Sequence, residues 1–300
     1  MMLNIQISEG NDNLFPKVPD YHKPNKPLVP NGLGVIYVLI TTVYLFLVYF
    51  SGIIEVTNGV SAPLTLAVCV LFAGFMGLLD DWLDLRWRYK AFMPLIAAIP
   101  LISLAYKFQL RTYIALPVFG IINFGVYYYF IFVPLLVTIV TNTVNQLGGF
   151  NGLETICPAI IITGLMLFSK SWILLLGPLI AWLVLAFLNF EGKIFVGNTG
   201  SFAIGMTLAA FAIISDLKLG LVISILPYIF NSSIILLTYF FFRRKASVSF
   251  DGVRLVSDHR RSLVTLITYR RPLTERQVVV LISLIVAFST CVAFVIELVT

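Results

Sequence analysis

The sequence predicts an all-α, polytopic membrane bundle of about nine transmembrane helices. Three observations carry that expectation. Hydrophobic residues fill 59% of the 300 positions and charged residues only 11%, with a mean hydropathy of +0.98, where a soluble domain carries roughly 25% charged residues. The apolar residues gather into nine runs, at about 33–54, 62–79, 91–106, 122–142, 153–169, 172–190, 201–214, 219–242 and 278–298. Several are short against the ~17–25 residues of a full span. The charges between the runs are unevenly shared. With the N-terminus placed in the cytoplasm, sixteen of the lysines and arginines fall on the cytoplasmic side and only Lys107, Arg111, Lys170 and Lys218 on the other. That bias fixes the orientation and agrees with an odd number of spans.

The net charge of +6 does not signal nucleic-acid binding, because its basic residues lie in loops between apolar runs. Cys69, Cys157 and Cys291 sit far apart in apolar runs and read as small buried hydrophobes, with no disulfide or metal spacing.

Residues 1–32 form a polar N-terminal segment, expected to be cytoplasmic, and residues 33–300 a single membrane domain. The segment has no apolar core of the signal-peptide kind. Its prolines impose an extended path, and Lys23 and Lys26 are placed to meet a phosphate or an anionic membrane surface. Four polar stretches then share the cytoplasmic face: 80–90, 142–154, 191–201 and 243–277. Their convergence argues for one active site there.

The first stretch carries Asp80 and Asp81, with Arg86, Arg88 and Lys90 just downstream. Adjacent carboxylates at a helix mouth repel and resist desolvation. A divalent cation bridging to substrate phosphates would relieve both costs; an interfacial charge cluster that only sets topology is the plainer alternative. The second stretch brings Asn142, Asn145 and Asn151 together with Gly148, Gly149 and Gly152. Asn142 and Asn145 share a helical face, and the glycines allow a ligand to approach backbone closely. Helix–helix hydrogen bonding in lipid is the alternative reading of the asparagines. In the third, Gly197-Asn198-Thr199-Gly200-Ser201 opens a helix, a setting that suits an anion or its metal, or else an ordinary cap made by Thr199 or Ser201. The fourth is mostly a solvated basic loop, from which Arg243, Arg244 and Lys245 stand out at a helix end as a diphosphate clamp.

Taken in order, these motifs resemble the polyprenyl-phosphate N-acetylhexosamine-1-phosphate transferases of glycosyltransferase family 4, most closely the archaeal and eukaryotic dolichyl-phosphate branch. The likeness rests on Asp20-Tyr-His-Lys23-Pro24, on Asp80-Asp81 with Leu85-Arg86-Trp87-Arg88, on Thr141-Asn142 through Asn151-Gly152-Leu153-Glu154, on Phe195 to Ser201, and on Leu273-Thr274-Glu275-Arg276. It implies transfer of GlcNAc-1-phosphate from UDP-GlcNAc to a polyprenyl (dolichyl) phosphate with release of UMP, the first membrane step of N-glycan-type assembly. The site would face the cytoplasm, at an archaeal plasma membrane or the endoplasmic reticulum.

By that resemblance Asn145 and Asn198 hold Mg²⁺ (or Mn²⁺), with Asp81 beside them ordering the metal's shell or Lys90. Lys90 with Arg243, Arg244 and Lys245 steadies the diphosphate. Asp80 receives the acceptor phosphate, while Asn142, Gly149, Asn151 and Lys23 line the substrate. A homodimer is compatible with this reading.

Two departures stand out: Asn198 occupies a position where most of the family has a metal-binding aspartate, and the nine runs correspond to the family's ten helices without the first. The rival readings are a secondary transporter of a nucleotide sugar or other anion, which would show internal repeats and midplane polar residues, and a catalytically inactive relative.

Overall fold

In the computed structural model, residues 15–54, 60–116 and 120–298 are described. Each of the nine apolar runs folds largely as helix. The first is α1 (Gly34–Phe50). The second, α2 (Ala62–Leu83), starts where the Ser61 hydroxyl accepts from the Leu64 N–H, with Pro63 in the first turn, and stops at Asp84, which is left-handed at φ 43°. It therefore runs one turn past the predicted end, so that Asp80 and Asp81 ride on the helix rather than in a loop.

Next come α3 (Trp87–Ala97) and α4 (Ile99–Lys107), two parts of one span. Pro94 and Pro100 interrupt the hydrogen-bond ladder there, because proline has no N–H to give. A run predicted to turn helical at 122 instead begins as a hairpin of β3 (Tyr113–Leu116) and β4 (Gly120–Asn123). The chain becomes helical only after Gly125, through a π turn at Tyr128–Phe132 and then α5 (Val133–Gln146). Glycines at positive φ, at 120 and 125, and the β-branched pair Ile121-Ile122 favour the hairpin.

Then follow α6 (Leu153–Phe168), α7 (Ile173–Phe190) and α8 (Gly197–Ile214). A span bent by 56° is made of α9 (Lys218–Ser224) and α10 (Leu226–Phe242). A short hairpin, β5 (Ser249–Phe250) with β6 (Leu255–Val256), and α11 (Leu263–Ile267) fill the long loop before α12 (Glu275–Glu297). At the other end, β1 (Lys17–Pro19) pairs antiparallel with β2 (Leu28–Pro30).

Among the described residues, six helices are long and apolar enough to cross a membrane, and seven if the bent pair is one span. The helices α1 and α6 are apolar but shorter, at 17 and 16 residues. The expected nine spans thus become six or seven by length, with two shorter apolar helices beside them. The three small hairpins were not anticipated by an all-α reading. Of the cysteines, Cys69 and Cys157 are buried as expected, but Cys291 is exposed on α12.

The axis of the bundle is α8. Every residue from Thr199 to Ile213 is buried, as expected of a helix apolar on all sides. Its small residues let α1, α2 and α5 approach to backbone contact, the packing mode of helices in lipid. A Cβ added to Gly77 of α2 would lie 2.4 Å from the Asn198 carbonyl oxygen, and one on Gly205 of α8 would lie 2.8 Å from Thr141 Cα of α5. Gly77→Ala should therefore destabilise the protein by about 1–3 kcal/mol, the usual cost of overpacking, read as a lower melting temperature in detergent.

Candidate active site

The Asp80-Asp81 pair is held apart by the helix itself. Consecutive helical residues point about 100° apart, so the two carboxylates face different neighbours. Asp81 turns to the start of α8. Its Oδ1 accepts from the Asn198 N–H at 2.9 Å, and its Oδ2 from the Thr199 N–H at 3.0 Å and the Thr199 hydroxyl at 2.7 Å. The α8 N-terminus has no cap from its own flanking residue; the carboxylate of α2 supplies one in trans, where the helix dipole favours negative charge. Neither Thr199 nor Ser201 caps the helix: Ser201 donates back to the Gly197 and Asn198 carbonyls. Gly77, one turn before Asp81, permits the approach that makes this bonding reachable.

Asp80 turns toward α3. It is 3% exposed, and its Oδ1 pairs with Lys90 Nζ at 2.8 Å and accepts from the Leu85 N–H at 3.0 Å. Its Oδ2 is buried without a partner among the described residues. The predicted repulsion between the two carboxylates is thus relieved by Lys90 on one side and a helix terminus on the other. A bridging cation is not required for it.

The asparagines of α5 also diverge. Asn142 donates to the Ala91 and Thr138 carbonyls, tying α5 to α3. Asn145 turns to α8, where its amide donates to Asn198 Oδ1 at 2.7 Å and to the Ser201 hydroxyl at 2.8 Å. Asp81, Asn145, Asn198 and Gly149 line one cavity of about 290 Å³, together with Glu154 at the start of α6 and Asp20, His22 and Asn31 of the N-terminal segment. Asp80, Lys90, Asn142, Asn151, Lys23 and the Arg243–Lys245 run are not among its lining residues. Arg243, Arg244 and Lys245 are exposed at and beyond the end of α10. That end is drawn to the start of α3 by an edge-on contact between Phe240 and Trp87.

The N-terminal segment is fastened over this cavity. Phe195 N–H donates to the Pro30 carbonyl, and the Leu33 and Gly34 N–H groups donate to Phe195 and Val196. Below lies a polar knot. Asn151 donates through its side chain to Asp20 Oδ2 at 2.7 Å and to Glu275 Oε1 at 3.2 Å, and through its backbone to the same Glu275 oxygen at 2.8 Å. Lys23 spans from Asp20, 3.4 Å away, to the Gly192 carbonyl. Asn189, at the end of α7, accepts from the Gly152 N–H and the Thr155 hydroxyl and donates to the Ile194 carbonyl. It fixes both loops of the site. Sequence reasoning passed over Asn189, which sits in an apolar run; a polar residue at a helix's last turn beside a charged loop was the available signal.

The donor set at the cavity suits a magnesium ion held mostly by substrate. Among the described residues no group of three or more His, Cys, Asp or Glu side chains is gathered for a metal. Asn145, Asn198 and Asp81 offer amide and carboxylate oxygens on one wall. Three of the four lone-pair positions of Asp81 already accept hydrogen bonds, leaving one. Magnesium in phosphate-binding sites takes one or two carboxylates and completes its shell with phosphates and water, and these residues fit that pattern.

The His22 ring stacks on Phe150, centroids 4.4 Å apart and 15° from parallel. Burial lowers its pKa below 6.5, against the opposing pull of the Asp20 carboxylate and the Gly149 backbone. The folded state therefore holds His22 neutral where the unfolded chain would already protonate it. Stability is full above pH 6.5 and falls as pH drops through the window down to the lowered value. A His22→Phe variant should lose that part of the pH dependence, seen by comparing melting temperatures of the two proteins from neutral to acidic pH.

The profile of glycosyl transferase family 4 matches residues 63–216, which hold α2 through α8. A relative from Saccharolobus solfataricus is 29% identical over 297 residues, 94% of this chain and 88% of that protein. It is provisionally named a UDP-N-acetylglucosamine–dolichyl-phosphate N-acetylglucosaminephosphotransferase. The Saccharomyces cerevisiae protein of that name is 25% identical over 71% of this chain and 58% of its own length. A phospho-N-acetylmuramoyl-pentapeptide-transferase from Clostridium perfringens is 31% identical over 63% of this chain and 65% of its own length.

Proposed function

The chain belongs to glycosyl transferase family 4, and from that premise we propose that it transfers GlcNAc-1-phosphate from UDP-GlcNAc to a polyprenyl or dolichyl phosphate, releasing UMP. The observation that carries this reading is the convergence on one cavity of Asp81 from α2, Asn145 from α5, Asn198 from α8 and Gly149 from the glycine-rich turn. The names of the similar proteins supply the sugar and the lipid.

In the reaction an oxygen of the acceptor phosphate attacks the sugar-bearing phosphorus of UDP-GlcNAc. The bond to the oxygen shared with the uridine-bearing phosphorus breaks, and that oxygen leaves with its electrons as part of UMP. The nucleophile needs no strong base, since a phosphate monoester with a second pKa of ~6 is largely ionised at pH 7. Two anions must nevertheless meet, so charge has to be screened. Magnesium held by Asn145, Asn198 and Asp81 would supply Lewis-acid screening of the diphosphate.

The chain's own groups do the rest. The Asp80–Lys90 pair sits where α2 gives way to α3, with Lys90 part-exposed. When an acceptor phosphate arrives, the ammonium turns from Asp80 to meet it, and Asp80 restores the pair on product release. On α5 the exposed residues Leu135 and Ile139 form a stripe that leads toward Asn142, flanked by exposed Phe92, Leu95 and Ile96 of α3 and Leu236 and Leu237 of α10. The isoprenoid tail lies along this groove, open to the bilayer, with its phosphate at the Lys90 end. Gly149, at φ +96° with nothing within 4 Å of a built Cβ, leaves backbone open to the nucleotide sugar. Asn151, buried beside the cavity rather than lining it, holds the glycine-rich turn in place through Asp20 and Glu275.

The test is a transfer assay with purified protein in detergent, labelled UDP-GlcNAc, a short polyprenyl phosphate and Mg²⁺. Lipid-linked label and equimolar UMP are expected, with loss of at least about 100-fold in Asp80→Asn and Asp81→Asn, the scale of removing one preorganised electrostatic group. Bound nucleotide sugar without product would support the inactive-relative reading; uptake of intact nucleotide sugar into proteoliposomes without UMP would support the transporter. A charge at position 198 should help the metal. Asn198→Asp is expected to lower the Mg²⁺ concentration giving half-maximal rate, measured by Mg²⁺ titration at fixed substrate.

A further inference from the structure

Away from the cavity, the loop between β6 and α12 builds, with Leu281 of α12, a basic pocket of about 580 Å³. Its polar rim is Arg260, Tyr269 and Arg271, and its floor is Leu266, Ile267 and Leu281. Arg260 lies over the Tyr269 ring at 4.2 Å, and Arg270 lies over the same ring at 5.3 Å. No ion pair involves Arg260, Arg270 or Arg271 among the described residues. Stacking on an aromatic face holds a guanidinium flat and presents its edge, the geometry suited to a phosphate. Positive charge is thus concentrated and preorganised, with no carboxylate among the residues that line the pocket.

Farther along α12 is an apolar groove of about 380 Å³, lined by the first turns of α10 and the middle of α12. Leu281 belongs to the basic pocket, while Ile285 and Phe288 line the groove, so the two share one face of α12 at helical spacing. Leu226, Pro227 and Phe230 of α10 line it from the other side, with Leu263 of α11. Phe288 is 72% exposed, as befits a residue facing lipid. The arginines lie at the same end of the bundle as the cavity, since α12 begins at Glu275, which bonds to Asn151.

We propose that this pocket and groove bind an anionic phospholipid of the surrounding leaflet, its phosphate between Arg260 and Arg271 and an acyl chain along Leu281, Ile285 and Phe288. The chemistry is that of a basic pocket between membrane helices holding an anionic head group. It is a different place from the acceptor groove: it shares no lining residue with the cavity, and α5, α3 and Lys90 take no part in it. The inference stands whether or not the transfer reaction is the one proposed. A bound lipid here would brace α11 and the loop against α10 and α12, and so the start of α12 at the polar knot.

The experiment is native mass spectrometry of the full chain, delipidated in detergent and titrated separately with phosphatidylglycerol, phosphatidylcholine and a short polyprenyl phosphate. Saturable phosphatidylglycerol binding is expected, with phosphatidylcholine much weaker. An Arg260→Gln/Arg271→Gln variant should bind phosphatidylglycerol about 25-fold less tightly, about fivefold per basic side chain at an anionic surface, with its melting temperature before lipid addition unchanged. Should that variant not fold, the Arg260→Lys/Arg271→Lys pair keeps the charge without the planar fork, and its phosphatidylglycerol affinity should fall between wild type and phosphatidylcholine. Equal binding of the two phospholipids, or unchanged phosphatidylglycerol binding in the folded glutamine variant, overturns the proposal. Displacement of phosphatidylglycerol by polyprenyl phosphate at matched concentration overturns it too, by assigning the site to the acceptor.

Discussion

A single carboxylate holds the centre of this molecule together. Asp81, in the last turn of α2, accepts three hydrogen bonds from the first turn of α8. It thereby satisfies backbone donors that a helix start cannot bond internally. The cavity's walls follow from that joint. Asn198 is presented at the first turn of α8, Asn145 reaches it from α5, and the backbone of residues 195–196 is left free to pair with the N-terminal segment. Hydrogen bonds to a charged acceptor are worth roughly 1.5–3 kcal/mol each at the upper end of the usual range, so this joint ranks with the strongest local polar interactions here. Its partner in shape is Gly77, whose missing side chain is the space in which α2 and α8 meet.

Much of the architecture was legible in the sequence because a bilayer imposes so few options. Apolar runs must be helices, since only a helix satisfies every backbone group within one segment. Composition therefore found the runs, and the motifs found most of the cavity. What it could not find was where helices stop. Side chains such as Asp80 and Asp81 look like loop residues, yet each gains a partner that lets the helix continue, Lys90 in one case and α8 in the other. Nor could periodicity separate a hairpin from a helix near residue 120, where the glycines rather than the isoleucines decide.

The direction of side chains was equally hidden. Asn142 and Asn145 sit on one helix three residues apart, and the spacing alone suggests a shared task. In the fold they part, Asn142 stitching α5 to α3 and Asn145 serving the cavity. Both readings of intramembrane asparagine, packing glue and ligand wall, hold on the same helix. The basic run Arg243–Lys245 shows the complementary limit: its charge is plain from sequence, but its place outside the lining of the cavity is not.

The knot of Asp20, Asn151 and Glu275 ties together positions 131 and 124 residues apart along the chain. During synthesis the ribosome delivers these partners in turn, and the last of them opens α12. A nascent chain that has already inserted α2, α5 and α8 thus still lacks the fastening beneath its own cavity. A chain released before residue 275 would carry every lining residue of the cavity, all within 18–198, but not the carboxylate that fastens Asn151.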